Sequence, residues 1–287
     1  MNVFNKRNCI IIFSVLFFLM IIGSCFDYQI SSYLYNENSV IGVALASYGQ
    51  VPAMLCSSIG GTLLLRITST NSKIKIVLSY LFCLILNLFA IMGITMDPML
   101  YIPGISLYLS VTIAVILVIG VDIIIWKLTK ETDKKILKRF IIVILAVMFI
   151  EIIFINIVKV PWARPRMRML AHQELATFQP WWIIGSEMKD HLLSLGVAAE
   201  EFKSFPSGHS GNAACAMLLG VLPILSVKLK GKENILFLSG IIFTMIVAFS
   251  RIIMGAHFLT DITIGITITF VIEVIVINFL LVKKSNE

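Results

Sequence analysis

The chain has 287 residues, of which 59% are hydrophobic and 14% are charged, and its formal net charge is +7. Soluble globular domains are about 45–50% apolar and about 25% charged, so this composition excludes an ordinary soluble protein. At about 20 residues for each membrane-spanning helix, the chain is long enough for about eight spans and their loops. We therefore predict an all-α fold, a polytopic bundle of transmembrane helices.

Apolar runs of spanning length follow one another along the chain. They lie near residues 9–26, 48–65, 76–94, 104–126, 140–158, 208–227, 235–250 and 258–282. The second run is the weakest, because Gly49, Gln50 and Pro52 interrupt it. The longest connection, residues 159–206, joins the fifth and sixth runs.

The basic residues are distributed unevenly between the two sides of the membrane that these runs predict. If every run spans, seven of the 23 Lys and Arg lie on one side and the others lie on the opposite side. The seven are Lys159, Arg164, Arg166, Arg168, Lys189, Lys203 and Arg251. Because positive charge is retained on the cytoplasmic side, we expect both termini in the cytoplasm and these seven residues outside. This distribution also argues against a nucleic-acid partner.

Three clusters of polar residues fall on the outer side, each at the end of a span. They occupy residues 159–168, 205–210 and 250–261. Lysine and arginine side chains suit phosphate, and backbone N–H groups at the start of a helix bind anions. The outer side therefore presents the chemistry of a phosphate site.

Two of these clusters also contain a histidine. His257 and Asp261 are four residues apart, so on a helix they would share a face, where the carboxylate holds the imidazole tautomer and stabilises its cation. His209 follows a Pro-Ser-Gly sequence and is a candidate general acid for the leaving oxygen. Each cluster alone also fits a structural role, such as a helix cap at Ser207 or a snorkelling Arg251. Their joint occurrence on one face favours catalysis.

The order of these motifs resembles that of the type 2 phosphatidic acid phosphatase family, which is related to vanadium haloperoxidases and bacterial non-specific acid phosphatases. The family pattern is Lys, six residues, Arg-Pro; then Pro-Ser-Gly-His; then Ser-Arg, five residues, His, three residues, Asp. The second motif matches completely at residues 206–209, and the third matches completely from Ser250 to Asp261.

The first motif departs from the family pattern. Arg166 stands at the expected distance from Lys159, but Met167 replaces the proline. Arg164 is followed by proline but stands at the wrong distance. Because spacing decides which side chain reaches the phosphate, Arg166 is preferred, and Arg164 stays an alternative.

The resemblance implies hydrolysis of a lipid phosphate or diphosphate through a phosphohistidine on His257. The residues expected to bind the phosphoryl oxygens are Lys159, Arg166, Ser207, Gly208 and Arg251. Asp261 would stabilise the cationic form of the nucleophile, and His209 would protonate the leaving group. No metal and no other cofactor is expected, and the expected partners are the lipid substrate and the membrane.

The resemblance covers residues of about 140–282, and the family core usually has six spans. We therefore expect one membrane domain, 1–287, in which N-terminal spans of unassigned role (1–103) precede a phosphatase core (104–287) that includes the outer segment 159–206. The expected location is the cell membrane, with several passes and an active site outside the cytoplasm.

Two other functions stay open on the sequence. A lipid phosphotransferase would use the same site and pass the phosphate to another alcohol. A transporter or flippase would use the basic residues to bind an anionic lipid, although paired broken helices and internal repeats are not evident. The motifs do not distinguish undecaprenyl diphosphate, phosphatidylglycerol phosphate and phosphatidic acid as substrates, and they do not indicate the oligomeric state.

Carboxylates also lie inside the predicted spans. Glu151 and Glu273 are the two deepest. Such residues are functional candidates because charge is costly in hydrocarbon. For these two we favour structural hydrogen bonds within the bundle over a proton path.

Overall fold

The structure, a computed structural model, describes residues 3–68 and 72–282, and these residues form helices and no strand. The α-helices are α1 (Lys6–Leu34), α2 (Val40–Tyr48), α3 (Val51–Ile67), α4 (Lys73–Tyr101), α5 (Leu107–Leu128), α6 (Lys134–Trp162), α7 (Met167–His172), α8 (Lys189–Ser194), α9 (Gly208–Ala214), α10 (Glu233–Ile253) and α11 (Leu259–Ile277). Shorter 3₁₀ helices cover Ala199–Phe202, Cys215–Leu225 and Val227–Leu229, and a π-helical turn covers Asn278–Val282. The predicted all-α bundle is confirmed. Lys283 and Lys284, which contribute to the predicted charge asymmetry, lie outside the described residues.

Eight helical stretches of the described chain are long and apolar enough to cross a membrane, and they coincide with the eight predicted runs. The helices at the periphery expose large apolar side chains, for example Phe17 on α1, Ile74 on α4 and Ile116 on α5. A soluble protein rarely exposes so much contiguous apolar surface, whereas lipid covers it well. The chain is therefore a multi-pass membrane protein.

The second span is broken where its apolar run is interrupted. α2 ends at Tyr48 and α3 begins at Val51. Gln50 is the N-cap residue of α3, and Pro52 lies in the first turn, where its missing N–H has no helical partner to lose. The break places the side chain of Gln50 beside Asp97 of α4, to which its amide donates at 2.5 Å.

The N-terminal and C-terminal helices share one interior. α3 packs against α4, α5, α6 and α9, and α11 packs against α1, α6 and α9. Buried Leu63, Val143 and Phe270 belong to the same hydrophobic cluster. α11 approaches the start of α9 so closely that a Cβ on Gly265 would stand 2.3 Å from the carbonyl oxygen of Ser207, so glycine is required there.

The segment 163–207 between α6 and α9 is structured. It has a small hydrophobic core of its own, formed by Met169 of α7, Leu192 of α8 and Phe202. Trp181 ties the segment to α1, because its indole N–H donates to the hydroxyl of Ser24 at 2.9 Å. The segment therefore folds onto the end of the bundle where α6 ends and α9 begins.

Candidate active site

The three sequence clusters meet at one end of the bundle, around a cavity of about 250 Å³. From these clusters, the cavity is lined by Lys159 near the end of α6, Arg166 before α7, Gly208 and His209 at the start of α9, and His257 before α11. From the rest of the chain, it is lined by residues that include Gln50, Asp97, Tyr101, Glu151 and Glu200. The fold thus brings together groups from seven different parts of the sequence.

Lys159 and Arg166 line this cavity, Arg251 lies beside it, and several N–H groups of the two arginines are free. The buried Nε of Arg166 has no partner among the described residues, and neither do Nε and Nη1 of Arg251. The Nη2 of Arg251 donates to the hydroxyl of Tyr101 at 3.0 Å. The ammonium of Lys159 lies 3.5 Å from the position that a Cβ on Gly208 would take. Buried donors without partners are unfavourable, so this arrangement suits an anion that accepts hydrogen bonds from all three side chains.

Glu200 lies at one side of the cationic group. Its Oε1 accepts from Arg166 Nη2 at 2.7 Å, and Lys203 Nζ lies 3.0 Å from its Oε2. Burial alone would raise the pKa of Glu200, but Arg166, Lys203 and Lys159 together lower it below its ordinary value. The carboxylate therefore stays ionised and offsets part of the positive charge around the cavity.

His257 and Asp261 do not share a face of one helix. His257 precedes Phe258, the N-cap residue of α11, and Asp261 is the third residue of that helix. Asp261 Oδ2 accepts from the N–H of Phe258 at 2.8 Å, so the carboxylate caps the helix. It approaches the imidazole only to 3.9 Å, measured from Oδ2 to Nδ1. The prediction that their spacing places them on one helical face is therefore wrong.

A backbone carbonyl orients the imidazole of His257 instead. Nδ1 donates to the carbonyl oxygen of Ser204 at 2.5 Å, and the hydroxyl of Ser204 donates to Asp261 Oδ2 at 2.5 Å. Because a carbonyl can only accept, Nδ1 carries the hydrogen and Nε2 keeps its lone pair. Burial lowers the pKa of His257 well below its ordinary value, and nearby Lys159 and Arg166 lower it further. The ring is thus neutral at neutral pH.

The two candidate arginines of the first motif take different positions. Arg166 lines the cavity, whereas Arg164 is completely buried and is not among the lining residues. Arg164 Nη2 pairs with Asp27 of α1 at 2.9 Å, and its Nη1 donates to Thr260 at 2.9 Å and to Asp261. Arg164 therefore joins α1 to the start of α11, and the spacing rule selected the arginine that lines the cavity.

Ser207 and Gly208 of the second motif differ in the same way. Ser207 is the N-cap residue of α9, where its hydroxyl accepts from the N–H of Ser210 at 3.3 Å. It is completely buried, and its own N–H donates to the carbonyl oxygen of Asp261 at 3.0 Å. Gly208 lines the cavity, and Ser207 is not among the lining residues. A phosphate contact through Ser207 stays a prediction.

His209 lies between α9 and the N-terminal helices. Its Nε2 is 3.2 Å from the carbonyl oxygen of Ala46, 3.3 Å from Gln50 Nε2 and 3.7 Å from Asp97 Oδ2. The ring of Tyr101 meets the imidazole edge-on, with the ring centroids 5.8 Å apart. Helices α2, α3 and α4 therefore contribute directly to the surroundings of this histidine.

The sequence and this geometry agree with a known family. Residues 140–284 match the model of the PAP2 superfamily. The chain belongs to this superfamily. The resemblance seen in the motifs is thus confirmed.

Part of the chain is also similar to a bacterial protein. Phosphatidylglycerophosphatase B of Bacillus subtilis (strain 168) is 38% identical over 90 residues, which are 29% of this chain and 39% of the relative. The match therefore spans well under half of that relative's length. No solved structure matches the chain.

The PAP2 match begins in α6 and leaves out α1 to α5. Nevertheless, Gln50 and Asp97 from these helices line the cavity, and Asp27 of α1 pairs with Arg164. The candidate site of this PAP2 protein is thus surrounded in part by helices that lie outside the matched region.

Sequence reasoning missed several residues that hold the site together. They are Asp27, Gln50, Asp97, Tyr101, Glu200 and Ser204. Asp27 and Asp97 had a usable signal, because both are carboxylates near the predicted outer ends of apolar runs, where charge is costly. In the sequence, Gln50 stood out only as a polar residue that interrupts the second apolar run. Ser204 acts on His257 through its backbone carbonyl, for which no side-chain pattern exists.

Glu151 and Glu273 do not make the structural hydrogen bonds predicted for them. Both are completely buried, and none of their carboxyl oxygens has a hydrogen-bond partner among the described residues. Glu151 lines the cavity and lies on the same helix as Lys159. The cavity lining therefore combines an unpartnered carboxyl group with the cations Lys159 and Arg166.

Within the described part of the chain, no group of three or more His, Cys, Asp or Glu side chains could hold a metal ion. The carboxylates nearest to the two histidines already have partners: Asp97 accepts from Gln50, and Asp261 accepts from Ser204 and Phe258. Independence from metal stays a prediction, which the experiment described below tests.

Proposed function

We propose that the chain is a membrane lipid phosphatase that hydrolyses a phosphomonoester or diphosphate through a phosphohistidine on His257. The observation that carries this proposal is that Lys159 and Arg166 line a cavity that also holds two histidines, with Arg251 beside it and unpartnered N–H donors on both arginines. Such donors stabilise the charge spread over the phosphoryl oxygens in the transition state. Membership of the PAP2 superfamily supports the same chemistry.

His257 acts as the nucleophile in this mechanism. Its Nδ1–H donates to the carbonyl of Ser204, which leaves the lone pair of Nε2 to attack phosphorus. As the N–P bond forms, the ring becomes cationic, and Asp261 stabilises that charge from 3.9 Å and through Ser204. The neutral state of the free imidazole favours the attack.

His209 acts as the general acid and then as the general base. It gives its proton to the leaving oxygen as the P–O bond breaks, so the alcohol or phosphate departs neutral at that oxygen. Water then attacks the phosphohistidine and gives a proton to His209. The N–P bond breaks, inorganic phosphate is released, and both histidines return to their starting states.

We propose that the site faces the outside of the cell membrane. The basic residues favour this orientation, because most Lys and Arg lie in loops on the opposite side, and positive charge is retained in the cytoplasm. Both termini are then cytoplasmic.

The first substrate class to test is a lipid phosphomonoester such as phosphatidylglycerophosphate. The Bacillus subtilis relative, a phosphatidylglycerophosphatase by name, supports this choice. The cavity is also lined by Leu100, Ile152 and Ile155, which provide an apolar wall next to the phosphate-binding cations. The apolar part of a lipid substrate fits such a wall.

The decisive experiment measures phosphate release by the purified protein in detergent, with EDTA present and without an added alcohol acceptor. We expect release from a lipid phosphomonoester, and we expect His257→Ala to lower kcat/KM by at least about 10⁴-fold, as when other nucleophiles are removed. His172→Ala is the matched control, because that ring is exposed and pairs with Glu37 away from the cavity. The acid stability of the phosphoryl group that labels the protein then shows which type of residue carries it, because phosphohistidine is labile in acid.

Several results would count against this proposal. Activity that EDTA abolishes would contradict the metal-independent mechanism. An active His257→Ala variant would contradict the assigned nucleophile. Release that requires an added alcohol would identify a phosphotransferase, and an impermeant substrate that intact cells leave untouched would contradict the outer location.

A further inference from the structure

The general acid proposed above stands in an unfavourable electrostatic environment. His209 must carry an extra proton when the leaving oxygen departs, yet Lys159 and Arg166 line the same cavity and Arg251 lies beside it. Like charges at short range in a poorly hydrated site disfavour an imidazolium. A nearby carboxylate is therefore needed to hold the proton on this ring until the bond breaks.

Asp97 of α4 is that carboxylate. Its Oδ2 lies 3.7 Å from His209 Nε2, and no other carboxylate of the described chain lies within 4 Å of this ring. The side chains of His209 and Asp97 are only 13% and 15% exposed, so solvent screens their interaction weakly. Tyr101, one turn further along α4 than Asp97, meets the imidazole ring of His209 edge-on.

The position of Asp97 is itself held by a chain of hydrogen bonds. The amide nitrogen of Gln50 donates to Asp97 Oδ2 at 2.5 Å, and the amide oxygen of Gln50 accepts from Asn212 Nδ2. Asn212 lies on α9, three residues after His209. The carboxylate, the amide and the histidine are thus fixed relative to one another by three helices.

The contacts of His209 also distinguish its two ring nitrogens. The carbonyl oxygen of Ala46 lies 3.2 Å from Nε2, and because a carbonyl only accepts, a hydrogen on Nε2 satisfies it. The amide nitrogen of Gln50 is also 3.3 Å from Nε2, but it makes its shorter hydrogen bond, of 2.5 Å, to Asp97. Nδ1 has no hydrogen-bond partner among the described residues. Nε2–H therefore faces the N-terminal helices and Asp97, while Nδ1 remains for the leaving oxygen.

We propose that Asp97, held by Gln50, is a positioning residue for His209: it fixes the Nε2–H tautomer and stabilises the imidazolium that protonates the leaving group from Nδ1. This inference rests on the proposed function. It assigns a role in the reaction to α3 and α4, which lie outside the PAP2 match. The proton moves from Nδ1 to the leaving oxygen, and Asp97 itself keeps its charge throughout.

The test uses the dependence of the rate on the leaving group. An alkyl phosphate needs a proton on its leaving oxygen, whereas p-nitrophenyl phosphate expels a phenolate that departs without one. We expect Asp97→Asn to lower kcat/KM by about 10–10²-fold for a lipid alkyl phosphate but by less than about threefold for p-nitrophenyl phosphate. kcat/KM is the appropriate quantity because it reports the steps up to phosphohistidine formation.

Two further variants show whether Asp97 acts through His209. His209→Ala should show the same selectivity for leaving groups, and adding Asp97→Asn to it should cause no further loss, since coupled residues are not additive. Asp122→Asn is the control, because it makes the same chemical change on α5, away from the cavity lining. Asp122→Asn should leave kcat/KM unchanged for both substrates.

The possible results separate this inference from the proposed function. Equal losses on both substrates, no loss, or an undiminished loss in the His209→Ala background would each overturn the role of Asp97. A wild-type protein that hydrolyses neither substrate would instead contradict the proposed function, before any variant is compared.

Discussion

The N-terminal helices α1 to α5 and the C-terminal helices α6 to α11 contribute to the candidate site in different ways. The C-terminal part contains all three motifs and the PAP2 match. The N-terminal part contains no motif, yet Asp27 pairs with Arg164 and Asp97 approaches His209. The C-terminal helices thus supply the groups proposed to touch phosphate, and the N-terminal helices supply carboxylates that hold or surround those groups.

This difference shows what a motif can and cannot describe. Lys159, Arg166 and His209 stand at the spacings of the family motifs, and all three line one cavity. The carboxylates from the N-terminal helices come from residues far away in the chain and can be supplied from different positions in different folds. A family pattern therefore identifies side chains that meet at the cavity, but it does not identify the residues that support them.

The largest effect is expected where the two parts are joined by a buried ion pair. Arg164→Ala leaves Asp27 and Asp261 buried without their cation, which should lower the free energy of unfolding by about 3–5 kcal/mol. Thermal unfolding of the detergent-purified protein measures this change. Arg168→Ala is the matched control, because its pair with Glu201 is partly exposed and should contribute about 1 kcal/mol or less. Equal stability of the two variants would show that α1 is not coupled to the site through Arg164.

A second substitution separates binding of phosphate from support of the fold. Arg166→Ala removes a donor that lines the cavity, so kcat/KM should fall by about 10²–10³-fold, as when one transition-state donor is removed. Its midpoint of unfolding should stay near that of the wild type. If Arg166→Ala unfolded the protein while Arg164→Ala removed only activity, the assignment of the two arginines would have to be exchanged.

The sequence was sufficient for much of the fold and for several of the residues that line the cavity. Eight spans followed from the lengths of apolar runs, because hydrocarbon thickness sets a minimum helix length. The choice of Arg166 over Arg164 followed from spacing alone. The orientation of His257 could not be predicted from the sequence. The periodicity argument assumes a continuous helix, whereas Gly255 at φ +59° turns the chain just before His257. Its true partner is the carbonyl of Ser204, which every residue type possesses.

The supports from the N-terminal helices were harder to predict for a different reason. Asp97 reaches His209 only because α3 starts at the break after Gly49 and lies between α4 and α9, with Gln50 bridging them. Such a contact depends on how three helices pack and leaves no fixed spacing in the chain. The pairing of Asp97 with His209 is therefore a property of the helix packing and not of the sequence pattern.

The smallest effect is expected for a contact that α4 makes with Arg251. Tyr101→Phe removes the hydroxyl that accepts from Arg251 Nη2 at 3.0 Å but keeps the ring, which lies 5.1 Å from the guanidinium carbon. A hydrogen bond to a charged group contributes about 1.5 kcal/mol, so kcat/KM should fall about tenfold. Tyr108→Phe on α5 is the control, because that side chain is 85% exposed.

The size of this effect sharpens the comparison between the two parts of the chain. A tenfold loss means that α4 only adjusts an arginine whose remaining donors do most of the binding. A loss as large as that of Arg166→Ala would place α4 among the phosphate-binding elements themselves. An unchanged kcat/KM would mean that the ring alone positions Arg251, so that the N-terminal helices act on the site through their carboxylates and not through this hydroxyl.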